Sequence, residues 1–188
     1  MRPKILLDID GVCADFVGPV LSAARTIMGR PDLTIDMVDQ WELTRALGMT
    51  DAQSDQLDHA ISARGFCASL APYPGAIAGV QALQEFADVY ACTSPWNGDY
   101  WHHEREQWCV KILGIPRNRI MQGAAKAELL FGNALVEDKT QTLRDWWEPD
   151  RGALAVLMEQ PWNHNDRWDG HRVQNWNELV LLMCQRFQ

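Results

Sequence analysis

The chain has 188 residues, of which 47% are hydrophobic, so it is long enough for one domain with a modest insertion and is unlike a disordered composition. Its formal net charge of -8 argues against a binder of nucleic-acid polymers, because an acidic surface repels phosphate backbones outside local basic pockets. A small phosphorylated substrate remains allowed, because a bound metal ion can supply the missing positive charge.

The cysteines and the apolar stretches bear on the compartment. Five cysteines form no CxxC pair, and their odd number argues against a disulfide framework or a structural zinc site. The first apolar run ends at Leu7, which is too short for a signal-peptide core, and no apolar stretch approaches membrane-spanning length. We therefore expect a cytoplasmic protein with no membrane partner, and a homodimer stays open.

The first predicted element is a short strand over residues 5–7, which is followed at once by Asp8 and Asp10. Its Ile-Leu-Leu sequence is typical of a buried parallel strand. The carboxyl end of this strand is therefore expected to deliver two carboxylates into a loop.

Helical patterns follow this loop. Apolar residues recur at helical spacing over residues 17–28. Residues 30–70 contain no strand pattern, whereas Thr50 and Gln53 form the signature of a helix capping box. We therefore predict a small helical insertion over residues 14–72, closed by a Pro-Tyr-Pro-Gly turn.

From this turn onwards, helix and strand patterns alternate. The predicted elements, in chain order, are a helix over 77–86, a strand over 89–92, a helix over 99–113, a short strand over 120–121, a helix over 125–131, a strand over 134–136, a last strand over 153–158 and a last helix over 176–184. The alternation predicts a three-layer α/β fold with a Rossmann-like parallel sheet, formed by residues 1–13 and 73–188.

Three of the predicted strands end in polar side chains. Functional groups in parallel sheets gather beyond the carboxyl ends of the strands, so we expect these side chains to meet. Taken singly, each motif has an ordinary structural explanation, such as a turn, a helix cap or a solvated loop. Their order after separate strands favours a shared site. The residues are Asp8 and Asp10, Thr93 and Ser94, and Glu137 and Asp138.

These residue types suit phosphoryl transfer. A carboxylate such as Asp8 can attack phosphorus, and a second one nearby, Asp10, can pass a proton to the leaving oxygen. Two carboxylates in one pocket repel each other and need a cation, and Mg²⁺ prefers carboxylate and carbonyl oxygens. Asp138 can supply a third oxygen ligand. The hydroxyl groups of Thr93 and Ser94 offer hydrogen-bond donors for phosphate, and Lys126 can neutralise charge on the transferred phosphoryl group.

The motifs also resemble a known family. With h for an apolar residue and x for any residue, the set hhhDxDGV, hhxTS, Lys and hhEDK resembles the haloacid dehalogenase superfamily of phosphotransferases. Within it, the stretches DIDGVCADF, YACTSPW, WCVKILG and QPWN…RVQNW resemble the 5'(3')-deoxyribonucleotidases and their bacterial and phage relatives. The resemblance covers nearly the whole chain.

The resemblance implies a haloacid dehalogenase-like core and specific roles in a magnesium site. Asp8 is expected to be the nucleophile and a metal ligand. Asp10 is expected to be the general acid/base and to bind the metal through its main-chain carbonyl. Asp138 is expected to be the metal ligand of the last motif, with Glu137 beside it.

The resemblance also implies the phosphate contacts. Thr93 and Ser94 are expected to hold the phosphate group. Two residues are candidates for the phosphate-binding cation: Lys126, shortly before the last motif, and Arg105, three residues before Trp108. Both candidates are kept.

The helical insertion resembles the family's small cap, which closes over substrates and excludes water. Phe16 falls where the family has a phenylalanine that faces the substrate. Trp41 and Trp96 are aromatic surfaces on which a nucleobase could stack, although packing within the cap is an equal explanation for Trp41.

Three functions are consistent with these residues. The leading one is magnesium-dependent hydrolysis of nucleoside monophosphates, with deoxyribonucleotides as the expected substrates. The second keeps this chemistry but acts on a sugar phosphate or another small phosphometabolite. The third is a signalling module that carries phosphate on an aspartate without turnover.

Overall fold

The computed structural model describes residues 2–123, 131–148 and 152–188. Within these residues, six parallel strands form one sheet in the order β3-β2-β1-β4-β5-β6. The strands are β1 Lys4–Leu7, β2 Asp88–Thr93, β3 Ile120–Gln122, β4 Ala134–Glu137, β5 Leu154–Met158 and β6 His171–Val173.

Helices cover both faces of this sheet. Alternate residues of a strand point to opposite faces, so Leu7 and Val136 pack into one hydrophobic cluster while Leu6 and Leu135 pack into another. Both faces are apolar, as expected for central parallel strands. The described helices are α1 Val17–Met28, α2 Leu43–Ala46, α3 Asp51–Ser62, α4 Ala76–Phe86, α5 Trp101–Ile112, α6 Thr140–Trp146 and α7 Trp176–Phe187.

The two clusters show how the three layers divide. The larger cluster includes side chains of α4, α5 and α7, whereas the smaller one includes Leu143 and Trp146 of α6. This arrangement confirms the predicted three-layer α/β class with a parallel sheet. None of the helices in the described parts of the chain is long and apolar enough to cross a membrane.

Helices α1 to α3 lie between β1 and α4. The two ends of this segment run side by side: the Asp15 N–H donates to the Ala71 carbonyl at 2.8 Å, and the Tyr73 N–H donates to the Cys13 carbonyl at 2.8 Å. The predicted capping box of α3 is confirmed, because Gln53 N–H donates to Thr50 Oγ1 at 3.3 Å and Thr50 N–H donates to Gln53 Oε1 at 2.9 Å.

Two elements of the core were not predicted. The strand ending at Met158 is not the last, because β6 pairs with β5 over His171–Val173. Strand β6 is a three-residue edge strand with a polar residue exposed, so it has no apolar run. Helix α6 is only seven residues long, too short for a clear periodic pattern. The predicted helix over 125–131 lies outside the described residues except for its last position.

Candidate active site

The ends of β1 and β4 bring two aspartates together. These strands are neighbours, and the Asp8 N–H donates to the Val136 carbonyl at 2.9 Å. The chain places β2 and β3 on one side of β1 and β4 to β6 on the other, so the strand order reverses here. Such a switch point leaves a crevice beyond the strand ends. Asp8 and Asp138 lie in this crevice.

Asp8, Glu137 and Asp138 form a compact group of buried carboxylates. One oxygen from each lies within 4.8 Å of the other two. Glu137 Oε2 also accepts hydrogen bonds from the backbone N–H groups of Asp138 and Lys139, both at 3.1 Å, which fixes its orientation. Carboxylate oxygens at this spacing match the donor set that hard divalent cations prefer, so these residues fit the predicted Mg²⁺.

The loop after β1 is held tightly against this group. Gly11 has φ of +78°, and a Cβ built there would lie 1.9 Å from Asp138 Oδ2. Glycine is therefore required both by the backbone conformation and by the close approach. Cys13 donates its thiol to the Asp8 carbonyl at 3.2 Å, and burial raises the pKa of this thiol well above its usual value. Cys13 therefore packs as a neutral side chain.

The turn after β5 supports the group from the other side. Trp162 Nε1 donates to Asp138 Oδ2 at 3.0 Å, and Asn163 Nδ2 donates to the Asp138 carbonyl at 2.8 Å. Gln160 Nε2 donates to the Gly11 carbonyl at 2.6 Å. No role was predicted for Trp162, and the sequence signal that pointed to this turn was the QPWN stretch.

One cavity of about 560 Å³ opens over the strand ends. Its lining combines carboxylates and hydroxyl groups with aliphatic side chains and several aromatic rings. Residues of α3 and of the α2 region, which belong to the helical segment, form another part of the wall. Nine of the residues predicted for the site line this cavity: Asp8, Asp10, Phe16, Trp41, Thr93, Ser94, Trp96, Glu137 and Asp138.

The hydroxyl groups at the end of β2 differ in their bonding. Thr93 is 1% exposed, and its Oγ1 has no hydrogen-bond partner among the described residues. Ser94 Oγ donates to the Gly123 carbonyl at 3.1 Å. A buried hydroxyl that faces a cavity without a partner is poised to donate to a bound ligand.

Aromatic rings surround the outer part of the cavity. The Phe16 ring lies 5.8 Å from that of Trp96, measured between centroids. Lys139 Nζ lies 4.7 Å from the ring centroid of Trp41, which links the helical segment to the residue after Asp138. Trp41 and Trp96 remain partly exposed, so each offers a face to a ligand.

Of the two residues predicted as candidates for the phosphate-binding cation, only Arg105 lies among the described residues. Arg105 is 0% exposed and does not line the cavity. Its Nη2 instead donates to both carboxylate oxygens of Asp10, at 2.6 and 2.7 Å. Lys126 lies outside the described residues.

A parallel sheet in this strand order, with two aspartates after β1 and an acidic pair after β4, is the arrangement of the haloacid dehalogenase-like hydrolases. A haloacid dehalogenase-like family hydrolase from Streptococcus pneumoniae aligns with a TM-score of 0.64 at 12% identity, over 97% of this chain and 98% of that one. A Bacillus subtilis structure of this type, bound to magnesium, aligns with a TM-score of 0.60 at 14% identity, over 97% and 99%. These likenesses concern the fold.

Sequence similarity narrows the class. The family model for 5' nucleotidase, deoxy (pyrimidine), cytosolic type C protein matches residues 2–187. The human cytosolic 5'(3')-deoxyribonucleotidase is 32% identical over 171 residues, which span 86% of this chain and 77% of the human protein. The chain belongs to this nucleotidase family, and it is a phosphoric monoester hydrolase of the 5'-nucleotidase type.

Proposed function

We propose that this enzyme hydrolyses deoxyribonucleoside monophosphates with the help of Mg²⁺, through a phosphoryl group carried transiently on Asp8. The observation that supports this most directly is that one cavity is lined both by the carboxylates and by the aromatic rings of Phe16, Trp41 and Trp96. Its carboxylates suit phosphoryl transfer, and its aromatic rings suit a nucleobase.

The reaction has two displacements. In the first, a carboxylate oxygen of Asp8 attacks phosphorus, the bond from phosphorus to the sugar oxygen breaks, and Asp10 gives its proton to that oxygen. In the second, water attacks the aspartyl phosphate, Asp10 takes a proton from the water, and the bond from Asp8 to phosphorus breaks. The products are nucleoside and inorganic phosphate. Thr93 donates its buried hydroxyl to a phosphoryl oxygen, where charge must be stabilised.

The cation would be held by Asp8, Asp138 and the main-chain carbonyl of Asp10. Glu137 orients this group through its bonds to the backbone after β4. When bound, magnesium supplies the positive charge that allows these carboxylates and a phosphate to share one pocket. The fold relative that is bound to magnesium supports the choice of metal. Lys126 is proposed as the cation that faces the phosphoryl group.

The substrate is proposed to be a nucleotide because of the cavity's volume and the aromatic rings among its lining residues. A volume of about 560 Å³ lies in the range typical of small-molecule sites. Phe16, Trp41 and Trp96 can offer ring faces to a nucleobase. The name of the human relative supports a deoxyribose. We also propose that residues 14–72 act as a cap that keeps water away from the phosphoryl transfer.

A substrate panel tests this proposal. Phosphate release from deoxyribonucleotides, ribonucleotides and sugar phosphates is measured with Mg²⁺ and again after chelation. We expect turnover of deoxyribonucleotides that needs the metal, and loss of turnover in Asp8→Asn. Asp55→Asn, which removes an exposed carboxylate of α3, serves as the control and retains activity.

Two results would contradict the proposal in different ways. Rapid turnover of sugar phosphates without turnover of any nucleotide would keep the chemistry and replace the substrate. Full activity in Asp8→Asn would remove the nucleophile and with it the mechanism.

A further inference from the structure

One face of helix α5 carries four side chains that each bind another part of the site or of the helical segment. Positions 101, 104, 105 and 108 are three or four residues apart, so they share this face. Trp101 Nε1 donates to the Ile61 carbonyl at 2.9 Å, and Trp108 Nε1 donates to the Leu70 carbonyl at 2.8 Å. Arg105, on the same face, contacts Asp10.

Glu104 completes this row of contacts. Its Oε1 accepts the Gly65 N–H at 2.7 Å, and its Oε2 accepts the Ala68 N–H at 3.2 Å. Helix α5 therefore holds the returning end of the helical segment, residues 61–70, at four points through three side chains. The same face holds the carboxylate of Asp10 between those points.

The environment of Arg105 makes Asp10 its natural counter-charge. The guanidinium carbon lies 5.3 Å from the ring centroid of Trp101 and 5.8 Å from that of Trp108. Nearby Cys67 and Cys109 do not compensate the charge, because burial raises the pKa of each thiol to about 12 and keeps it neutral. A buried cation is tolerated only when it is paired, and here the pair is formed with both oxygens of Asp10.

We propose that Arg105 is a positioning residue for Asp10 rather than a ligand of the phosphate. This inference rests on the proposed function, in which Asp10 is protonated when it gives a proton to the leaving oxygen and is ionised, as the counter-charge of Arg105, when it takes a proton from water. An acid/base must lie within hydrogen-bond reach of its target, and an unrestrained aspartate samples several rotamers. Arg105 restricts the rotamers of the Asp10 side chain through these hydrogen bonds. The Arg105 side chain itself is fully buried and does not line the cavity. Its anchor is the helix that also holds residues 61–70.

The test compares leaving groups in the full-length protein. Release of p-nitrophenolate needs little protonation, whereas release of an alcohol such as a nucleoside needs a positioned acid. We expect Arg105→Met to lower the rate of the first step, measured as the initial release of the leaving group, at least tenfold more for phenyl phosphate and alkyl phosphates than for p-nitrophenyl phosphate. Because Asp10 also activates water in the second step, p-nitrophenol should appear in a burst of about one equivalent per enzyme, followed by slow turnover.

Inhibition by inorganic phosphate separates positioning from phosphate binding. If Arg105 only positions Asp10, Arg105→Met leaves the inhibition constant of inorganic phosphate within about twofold of the parent value. Phosphate inhibition weakened tenfold or more, with equal rate losses for all leaving groups, would overturn the proposal and make Arg105 a phosphate ligand. Unchanged rates in Arg105→Met would overturn it as well.

Two further variants complete the design. Arg119→Met removes another arginine that pairs with an aspartate and lies near an aromatic ring, but its partner is Asp88 and it does not line the cavity. It should leave the dependence on leaving group unchanged. Arg105→Lys keeps the charge on a shorter side chain, so an intermediate selectivity supports positioning even if the methionine variant does not fold. Selectivity equal to the parent in Arg105→Lys and full activity in Arg105→Met together contradict it.

Failure of the proposed function has a different signature. A parent protein that turns over aryl phosphates but no nucleotide would change the substrate and still allow the leaving-group test. A parent protein that turns over no phosphate ester would contradict the proposed chemistry, and this inference with it.

Discussion

The hydroxyl group of Thr93 has two opposite effects. It is buried without a hydrogen-bond partner among the described residues, which costs folding free energy, and it faces the cavity in which phosphate is proposed to bind. We expect Thr93→Val to lower kcat/KM about 10- to 100-fold, because one hydrogen bond to a charged group is worth about 1.5–3 kcal/mol. The same change should raise the thermal midpoint. Both quantities are measured on the purified variant.

Thr140 provides the matched control for this experiment. It is also buried, but its Oγ1 donates to Asp166 Oδ2 at 2.6 Å. Thr140→Val should therefore lower the thermal midpoint, because it leaves a carboxylate without that donor. A fall in the midpoint for Thr93→Val with unchanged kinetics would show that its hydroxyl serves the fold instead.

The indole of Trp162 acts through Asp138. Its Nε1 donates at 3.0 Å to Oδ2 of Asp138, which is proposed as a metal ligand, and such bonds orient metal ligands. We expect Trp162→Phe to raise the Mg²⁺ concentration required for half-maximal activity about tenfold, since partners of metal ligands typically contribute this much. The measurement is activity against free Mg²⁺ concentration.

Trp168→Phe is the control for Trp162→Phe. Trp168 Nε1 also donates to an oxygen, the His171 carbonyl, at 3.0 Å, but it has no bond to the carboxylates among the described residues. The Mg²⁺ concentration that Trp168→Phe requires for half-maximal activity should match that of the parent protein. Equal shifts in both variants would attribute the effect to loss of packing rather than to the bond to Asp138.

At the scale of elements, helix α5 connects the sheet to the helical segment. Glu104 accepts two backbone N–H groups of that segment, so Glu104→Gln replaces one acceptor oxygen with an amide that donates. We expect the free energy of unfolding to fall by about 1–2 kcal/mol. We also expect KM to rise, because the segment that bears Trp41 is held less firmly. Denaturant titration and steady-state kinetics measure these effects.

Glu106→Gln tests whether the effects of Glu104→Gln arise from its hydrogen bonds to residues 65 and 68 or from the loss of any glutamate on α5. Glu106 lies on the same helix but pairs with Arg117, which is largely exposed. Surface ion pairs contribute little, so both stability and KM should stay near the parent values. An unchanged KM in Glu104→Gln would separate the anchoring of residues 61–70 from substrate binding.

The strands also show which elements sequence patterns predict and which they miss. Strands β1, β4 and β5 are apolar runs buried on both faces, and each was predicted within one residue of its observed ends. Edge strand β6 was missed because its three residues owe their extended shape to pairing with β5. A short element whose shape depends on its neighbour leaves no periodic signal in its own sequence.

At the scale of the whole molecule, the burial of the cysteine side chains reflects the packing of the core. Cys13, Cys67, Cys92 and Cys109 are buried, and Cys184 is partly exposed. The reactive species is the thiolate, and burial raises the pKa of Cys13, Cys67 and Cys109. We expect one thiol to react rapidly with an aromatic disulfide reagent in the native protein at pH 8, and all five to react in denaturant.

The same groups make stability depend on pH in the alkaline range. Their folded-state pKa values are raised, so the unfolded chain releases thiol protons near pH 9 while the folded chain keeps them. The contribution of these thiols to stability is complete below pH 9 and is lost as pH rises towards 12. Denaturant titrations at several pH values should show the free energy of unfolding falling over this range. A free energy that is flat from pH 8 to 11 would contradict the burial of these thiols.

By itself, the sequence determined the fold class and the family, because apolar runs and the motifs at their ends are local features that do not depend on partners. It also placed polar groups at three strand ends, and parallel pairing then brings such ends to one edge. Only the tertiary structure decided which groups contact each other. Arg105 and Asp10 are far apart in the chain, as are Trp162 and Asp138, and their hydrogen bonds arise from the packing of whole elements. Direction and distance between such side chains are set by three-dimensional packing, which residue spacing along a single chain does not encode.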